Sequence, residues 1–401
     1  MTGMPQRRPF RVLWAANATS NLADGIAFVS IPLLATSLTD DPRWVAGLAT
    51  LYALVRLLVA LPIGVWVDRL DRRRILIVAN VLRGVAVLGL GVCVHLDVGG
   101  LVLLYAAFAV IGTLESAADN AALSLVPSIV ATRDLDRANG RLSAAQLVAD
   151  EFAGPPLGGL LFTVAAAVPV FAMGGLWAAA GLVALALPAR RVVASGRPDA
   201  PRQSVPREAA AGASWLLRHR VVGGLALIGA LASVGYMLPF SILVVFAHEQ
   251  LGLDGTGYGV ILAVSALGGL VGSFATPRTR RRIGYRWTIV LSLFIGAASL
   301  LALALTRDAV VAAVLLAVYV LHAVVWGICA TSLRQRLVPE ELRGRVNAAS
   351  RVAGLLGLAL GSLLGGVLAV GHIALPVAVG GAVFVACAVI AIALLRSVDD
   401  E

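Results

Sequence analysis

The chain has 401 residues, 59% of them hydrophobic and only 13% charged, and its mean hydropathy is +0.91; this excludes an ordinary soluble domain and points to a protein that crosses a bilayer many times. The formal charge of +10 comes from 32 basic residues, all arginine, which fall in short clusters between apolar runs rather than along one face, so nucleic acid is not expected as a partner. The absence of lysine excludes a P-loop and Schiff-base chemistry, and Cys93, Cys329 and Cys387 each lie inside an apolar run as small core side chains, leaving no metal or disulfide framework.

Crossing ~30 Å of hydrocarbon takes about 20 helical residues. Twelve such runs follow one another, near 12–38, 44–67, 75–95, 99–126, 139–164, 167–189, 220–247, 256–277, 284–305, 309–333, 346–370 and 373–395. Membrane strands would need half that length and would alternate in polarity. The first run, behind Arg7, Arg8 and Arg11, is too long for a signal-peptide core and is read as a span. The expected fold is an all-α membrane protein of twelve transmembrane helices.

Each ionisable group at membrane depth asks for a reason, because a central Asp or Arg costs roughly 2.5 to 3.5 kcal/mol on insertion scales. In the first span, Asn17, Asn21 and Asp24 form one helical stripe; the second carries Arg56 and the third Arg83. Gly112, Glu115 and Asp119 make a stripe in the fourth, and Ser143, Gln146, Asp150 and Gly154 one in the fifth, with Glu151 beside it. Counting the rise per residue puts Asp24 and Arg56 at similar depth, which suggests an ion pair between them. Five acids face two arginines, so they cannot all pair one to one. Each acid is either half of a packing ion pair or a proton carrier; burial favours the neutral form, so at least one is expected to hold a proton part of the time.

The later spans contain no interior acid. Their polar and aromatic stripe runs through Ser233, Tyr236 and Phe240 in span seven and Tyr319, His322 and Trp326 in span ten. These read either as packing or as the wall of a cavity for amphipathic molecules, and His322 as a hydrogen-bonded core histidine or a substrate contact. Gly354, Gly357, Gly361 and Gly365 form a small-residue seam for close helix approach.

Arginine also sets the orientation. The amino terminus and the even-numbered connections hold "DRLDRRR", "ATRDLDRANGR", the long stretch from Arg190 to Arg220, "PRTRRRIGYR" and "LRQRLVPEELRGR", whereas the odd-numbered ones hold only Arg43 and Arg307. Both termini are therefore expected in the cytoplasm. The second half also repeats the first: "GVWVDRLDRRR" at Gly64 falls on "GSFATPRTRRR" at Gly272, "LVPSIVATRDLDRANGR" parallels "LVPEELRGRVNAASR", and "GPPLGG" at Gly154 parallels "GSLLGG" at Gly361. This divides the chain into bundles at 1–189 and 220–401, joined by a linker over 190–219 in which Trp215, Leu216 and Leu217 suit a short interfacial helix.

Gly64, Asp68, Arg69, Arg72 and Arg73 match the G-x-x-x-D-R-x-x-R-R loop motif of the major facilitator superfamily, which the chain resembles over essentially its whole length. Gly154, Pro155, Gly158 and Gly159 match the core of the G-P-x-x-G-G motif of that family's antiporters, with Asp150 where preceding glycines often stand. "RPFRVLW", "RANGRL" and "GPPLGGLLF" together resemble the branch that includes macrolide-efflux and enterobactin-exporter proteins. The resemblance implies two pseudo-symmetric six-helix bundles with a site at their interface. It also implies that Asp68 packs at the amino-terminal end of the eleventh helix, with Arg69 and Arg72 placed to meet carboxylates, as a cytoplasmic latch.

The resulting expectation is a secondary transporter of a bacterial cytoplasmic membrane, working as a monomer without a cofactor or metal. It would use the proton gradient to export drug-like or siderophore-like amphipathic molecules, with Glu115 as principal proton carrier and Asp150 second. The alternatives are an uptake symporter of the same fold and a membrane sensor or scaffold that transports nothing.

Overall fold

The computed structural model describes residues 7–131, 134–188 and 214–396. Its regular elements are helices: α1 (Arg7–Leu38), α2 (Pro42–Arg69), α3 (Arg72–His95), α4 (Leu101–Ile129), α5 (Leu135–Gln146), a π-helical segment (Leu147–Ala153), α6 (Gly154–Val164), α7 (Ala167–Ala184), α8 (Arg220–Phe240), α9 (Leu243–Glu249), α10 (Gly255–Leu305), α11 (Ala309–Leu337), α12 (Arg343–Ala369) and α13 (Leu375–Leu394). Among the described residues, ten helices are long and apolar enough to cross a membrane. One of them, α10, runs for 51 residues and breaks at Gly284, at φ 73° and ψ 177°, so it holds the eighth and ninth expected spans. The fifth expected span is divided among α5, the π segment and α6, none of which is long enough alone. The helices are thus consistent with twelve crossings.

Hydrocarbon offers no partner to a backbone N–H or C=O, so the chain satisfies these groups itself. Asp71 caps α3 by accepting from the Arg73 amide at 2.9 Å, and Asp308 caps α11 by accepting from Val310 and Val311 at 2.8 and 2.9 Å. Hydroxyls inside the spans fold back on their own helix: Ser233 donates to the Gly229 carbonyl at 2.9 Å and Thr276 to that of Gly272 at 2.6 Å.

The chain divides into two compact units, one drawn from 1–40, 55–196 and 254–263, the other from 41–54, 197–253 and 264–401. α2 and α10 each contribute a segment to both. Most of the expected linker lies outside the described residues, which resume in a short helical turn at 214–218. There Leu216 turns inward against Val222, Val338 and Val346, while Leu217 stays exposed.

In the first unit α3 packs between α4 and α7, and α1 lies against α6 and α7. Glycines permit the closest approaches. A Cβ on Gly174 would lie 2.8 Å from Leu88, and one on Gly158 would lie 2.8 Å from the Ile26 carbonyl oxygen. In the second unit Gly357, Gly361 and Gly365 of α12 face the carbonyls of Ala230, Val234 and Leu238 on α8, which is the seam expected from their spacing. The first part of α2 joins this unit through a 2.7 Å hydrogen bond between the Thr50 and Ser362 hydroxyls.

Crowding is therefore specific to the glycines that touch backbone. Gly158→Val is expected to destabilise the protein by about 1 to 3 kcal/mol, the usual cost of overpacking, whereas Gly175→Ala, with open space around it, should be neutral. Thermal unfolding of the two purified variants in detergent checks the contrast.

Candidate functional site

The polar side chains of the first unit converge on Arg83, which is fully buried in α3. A guanidinium there needs its charge and its hydrogens satisfied locally. Its Nη2 donates to the Asp24 carboxylate of α1 and lies 3.7 Å from Glu115 of α4. Its Nη1 donates to Ser20 at 3.4 Å, and Ser20 in turn donates to Asn80 at 3.0 Å. On α7 the Trp177 ring lies 4.2 Å beneath the guanidinium, while its indole N–H donates to Asp24 at 3.2 Å. The second oxygen of Glu115 accepts from Arg56 of α2 at 3.2 Å. Arg56, Glu115, Arg83, Asp24 and Trp177 thus form a ladder across five helices.

This corrects the expected Asp24–Arg56 pair. Depth along the helix ranks Arg56 with Asp24, but an arginine stem reaches about one helical turn, and the facing of the helices decides the partner. Trp177, Ser20 and Asn80 were not singled out from the sequence. Ser20 and Asn80 do lie one turn from Asp24 and Arg83, on their faces. Trp177 carried no such sign beyond the need of a buried indole N–H for an acceptor.

The other acids border this ladder. Asp119, one turn below Glu115, is within electrostatic reach of Asp24 and Arg83. Asp150 and Glu151 sit on the π segment, a widened turn of a kind often found at functional sites. A Cβ on Gly25 would collide with the Asp150 backbone, and one on Gly154 with the Gly25 backbone, so α1 crosses the fifth-span segment in direct contact beside Asp24. Asp150 is half-buried and Glu151 exposed. Neither forms an ion pair with a basic side chain among the described residues. The acids Glu151, Glu115, Asp119 and Asp24 lie within electrostatic reach of Asp150.

Of the fifth-span motif, Gly154 meets Gly25, Gly158 meets Ile26, and Gly159 and Pro155 meet Gly255 and Gly259 at the start of α10. Asn21 is buried and donates to the Asn17 carbonyl at 2.7 Å, while Gln146 is exposed. In the loop motif, Arg72 donates to the Ser124 carbonyl at 3.0 Å and Arg73 to that of Leu185 at 2.6 Å. These are carbonyls of the same unit and not the carboxylates expected for Arg72. Gly64 and the side chains of Asp68 and Arg69 lie outside the described residues.

The second unit holds the aromatic cluster. Tyr236 stacks on Phe240 at 4.4 Å, Phe240 lies 5.5 Å from Tyr319, and Phe384 of α13 meets the Tyr319 and His322 rings edge-on at 5.7 and 4.9 Å. Tyr319 and His322 are each only 1% exposed, and a His322 ring nitrogen bonds the Tyr319 carbonyl, as befits a core histidine. The Tyr319 hydroxyl is buried with no hydrogen-bond partner among the described residues. Tyr236, Phe240 and Trp326 are half-buried.

The sequence profile of the Major Facilitator Superfamily matches residues 13–352. The chain belongs to that superfamily. It is 24% identical over 359 residues to the enterobactin exporter EntS of Escherichia coli O1:K1 and to that of Shigella boydii serotype 4, covering 89% of this chain and 84% of each relative. Among solved structures it is similar to a bacterial homologue of the iron transporter ferroportin in an inward-facing state, with a TM-score of 0.75, 20% identity, and 97% and 99% of the two chains covered. A nucleoside transporter, NupG with a D323A substitution, gives a TM-score of 0.73 at 10% identity, over 98% and 99% of the chains. These two likenesses concern the superfamily's fold.

The ladder makes a thermodynamic demand on this member of the superfamily. Arg83→Gln or Asp24→Asn alone strands a buried charge and is expected to cost about 3 to 5 kcal/mol, and the double variant should cost less than the sum. Asp24→Asn with Arg56→Gln, whose sites connect only through Glu115 and Arg83, should show a smaller coupling than the direct Asp24–Arg83 pair. Unfolding midpoints of both cycles in detergent distinguish the two pairings.

Proposed function

We propose that this superfamily transporter is a proton-coupled exporter of amphipathic small molecules. It would work by alternating access as a monomer without a cofactor, in a bacterial cytoplasmic membrane with both termini in the cytoplasm. The similarity to enterobactin exporters and the G-P-x-x-G-G match support export and a drug-like or siderophore-like substrate. The observation that carries proton coupling is Asp150: a half-buried carboxyl on a π segment, beside the α1 crossing, with no basic partner among the described residues. Asp150 therefore takes precedence over Glu115 as the carrier. Glu115 is held by Arg56 and Arg83, and both ion pairs must part before it can exchange a proton with water. Tyr236 and Phe240 offer the substrate accessible aromatic faces in the other unit. Asp68, with Arg69, Arg72 and Arg73, serves as the latch that keeps the cytoplasmic side shut in part of the cycle.

The test uses proteoliposomes loaded with acid buffer, diluted into neutral buffer and given ethidium as a probe. An exporter accumulates the dye as protons leave, whereas a symporter accumulates it only with acid outside, and a sensor does neither. Asp150→Asn is expected to reduce gradient-driven accumulation to that of empty liposomes while the purified variant still binds dye. Glu115→Gln should lower thermal stability and retain part of the coupling. Full coupling in Asp150→Asn together with its loss in Glu115→Gln would return the role to Glu115.

A further inference from the structure

The repeat places two arginine knots at equivalent turns of the two halves, yet they are neutralised differently. In the first, "DRLDRRR" brings two aspartates with four arginines; Asp71 caps α3 and approaches Arg74, and Arg72 and Arg73 donate to carbonyls of their own unit. The second, from Pro277 to Trp287, holds five arginines and no acid. Two of these are occupied with rings: Arg280 lies 4.9 Å over Tyr285, whose other neighbour is Arg336 at 5.6 Å, and Arg286 lies 4.9 Å over Trp287. The other three, Arg278, Arg281 and Arg282, are exposed. Arg278 and Arg281 each give one N–H to a carbonyl of their own helix, at 3.1 and 3.3 Å. None of the three forms an ion pair with a carboxylate among the described residues.

The same helix face continues away from these arginines as hydrocarbon. Leu267, Val271 and Phe274, at 50%, 57% and 69% exposed, precede Arg278 at steps of four, three and four residues, and Arg281 and Arg282 close the next turn, so all lie on one stripe of α10. Beyond the Gly284 break, Trp287, Leu291 and Phe294 make a second exposed stripe at 47%, 49% and 39%. The feature is a strip of apolar side chains about 10 Å long, capped by three cations without a carboxylate partner among the described residues and flanked by a tryptophan.

We propose that this stripe of α10 is a binding site for an anionic phospholipid. The acyl chain lies along Leu267, Val271 and Phe274, and the headgroup phosphate is held by Arg278, Arg281 and Arg282. Charge complementarity selects an anionic headgroup over a zwitterionic one, and the apolar run beneath the arginines selects a lipid over a soluble polyanion. The repeat makes the site one-sided, since the equivalent turn of the first half supplies its own acids. This site is independent of substrate, transport direction and proton coupling.

The purified, delipidated full chain is titrated with dioleoyl phosphatidylglycerol and, separately, with dioleoyl phosphatidylcholine in detergent, and bound lipid is counted by native mass spectrometry. Wild type is expected to prefer phosphatidylglycerol. An arginine near the membrane surface is worth roughly fivefold in affinity for anionic lipid, so the R278Q/R281Q/R282Q variant should bind it on the order of a hundredfold more weakly. The charge-preserving R278K/R281K/R282K variant should keep most of the preference, and Phe274→Ser should weaken both lipids. Because the wild type alone can be assayed at high salt, which should erase the preference, the test survives poor folding of a variant. Equal binding of the two lipids by wild type, or an unchanged preference in the glutamine variant, overturns the proposal. So does displacement of phosphatidylglycerol by an equal concentration of short duplex DNA or polyglutamate.

Discussion

A guanidinium buried away from water governs how the first unit is built. Arg83 has no exposed surface, and its charge would be prohibitive there without the carboxylates of Asp24 and Glu115 and the face of Trp177. Because those partners come from α1, α4 and α7, satisfying one side chain fixes the relative placement of four helices, and Arg56 extends the constraint to α2 through Glu115. In a bilayer, where apolar side chains gain little by leaving lipid for one another, such polar contacts and close glycine crossings must set helix register. The two devices meet at Gly25, adjacent to Asp24, where α1 and the π segment touch at the backbone.

That meeting point bears on the proposed coupling. The π segment inserts an extra residue into the turn that carries Asp150 and Glu151, which turns these acids relative to the regular helices on either side. The widened turn spends local hydrogen-bond regularity to place a carboxyl beside the α1 crossing without giving it a cation. Two kinds of acid result: Asp24 and Glu115, locked into the ladder, and Asp119, Asp150 and Glu151, which border it.

The fold was largely legible because its signals are one-dimensional. Span lengths depend on composition along the chain, and the long apolar helices found among the described residues are consistent with them. One exception follows from local chemistry: Gly284 permits a positive φ that divides α10. The site was legible only in part. Stripes put Asp24, Glu115 and Asp150 on the right helices, but pairing is a question of which faces meet, and a depth count cannot answer it. Arg83 took the partner that depth had assigned to Arg56. Trp177 joined the site through a single N–H, which no periodicity reveals. Tyr319 and His322, spaced like a pocket wall, are sealed in packing, while Tyr236 and Phe240 of the same pattern remain accessible.

The two halves have diverged in a way that separates kinds of chemistry. Interior acids are confined to the spans of the first half, and those of the second carry instead hydroxyls, aromatics and a buried core histidine. A carboxyl that must change charge during a cycle is costly beside a binding surface for apolar molecules, since each protonation would alter the desolvation that the surface depends on. Under the proposed coupling, titratable groups on one unit and aromatic faces on the other would let proton and substrate act on different elements of the same equilibrium, as coupling by differential affinity requires. Divergence at the arginine knots follows the same logic. Where the first half kept aspartates, its arginines are absorbed into internal contacts. Where the second half lost them, with Thr276 at the position matching Asp68, Arg278, Arg281 and Arg282 remain exposed without a carboxylate partner among the described residues.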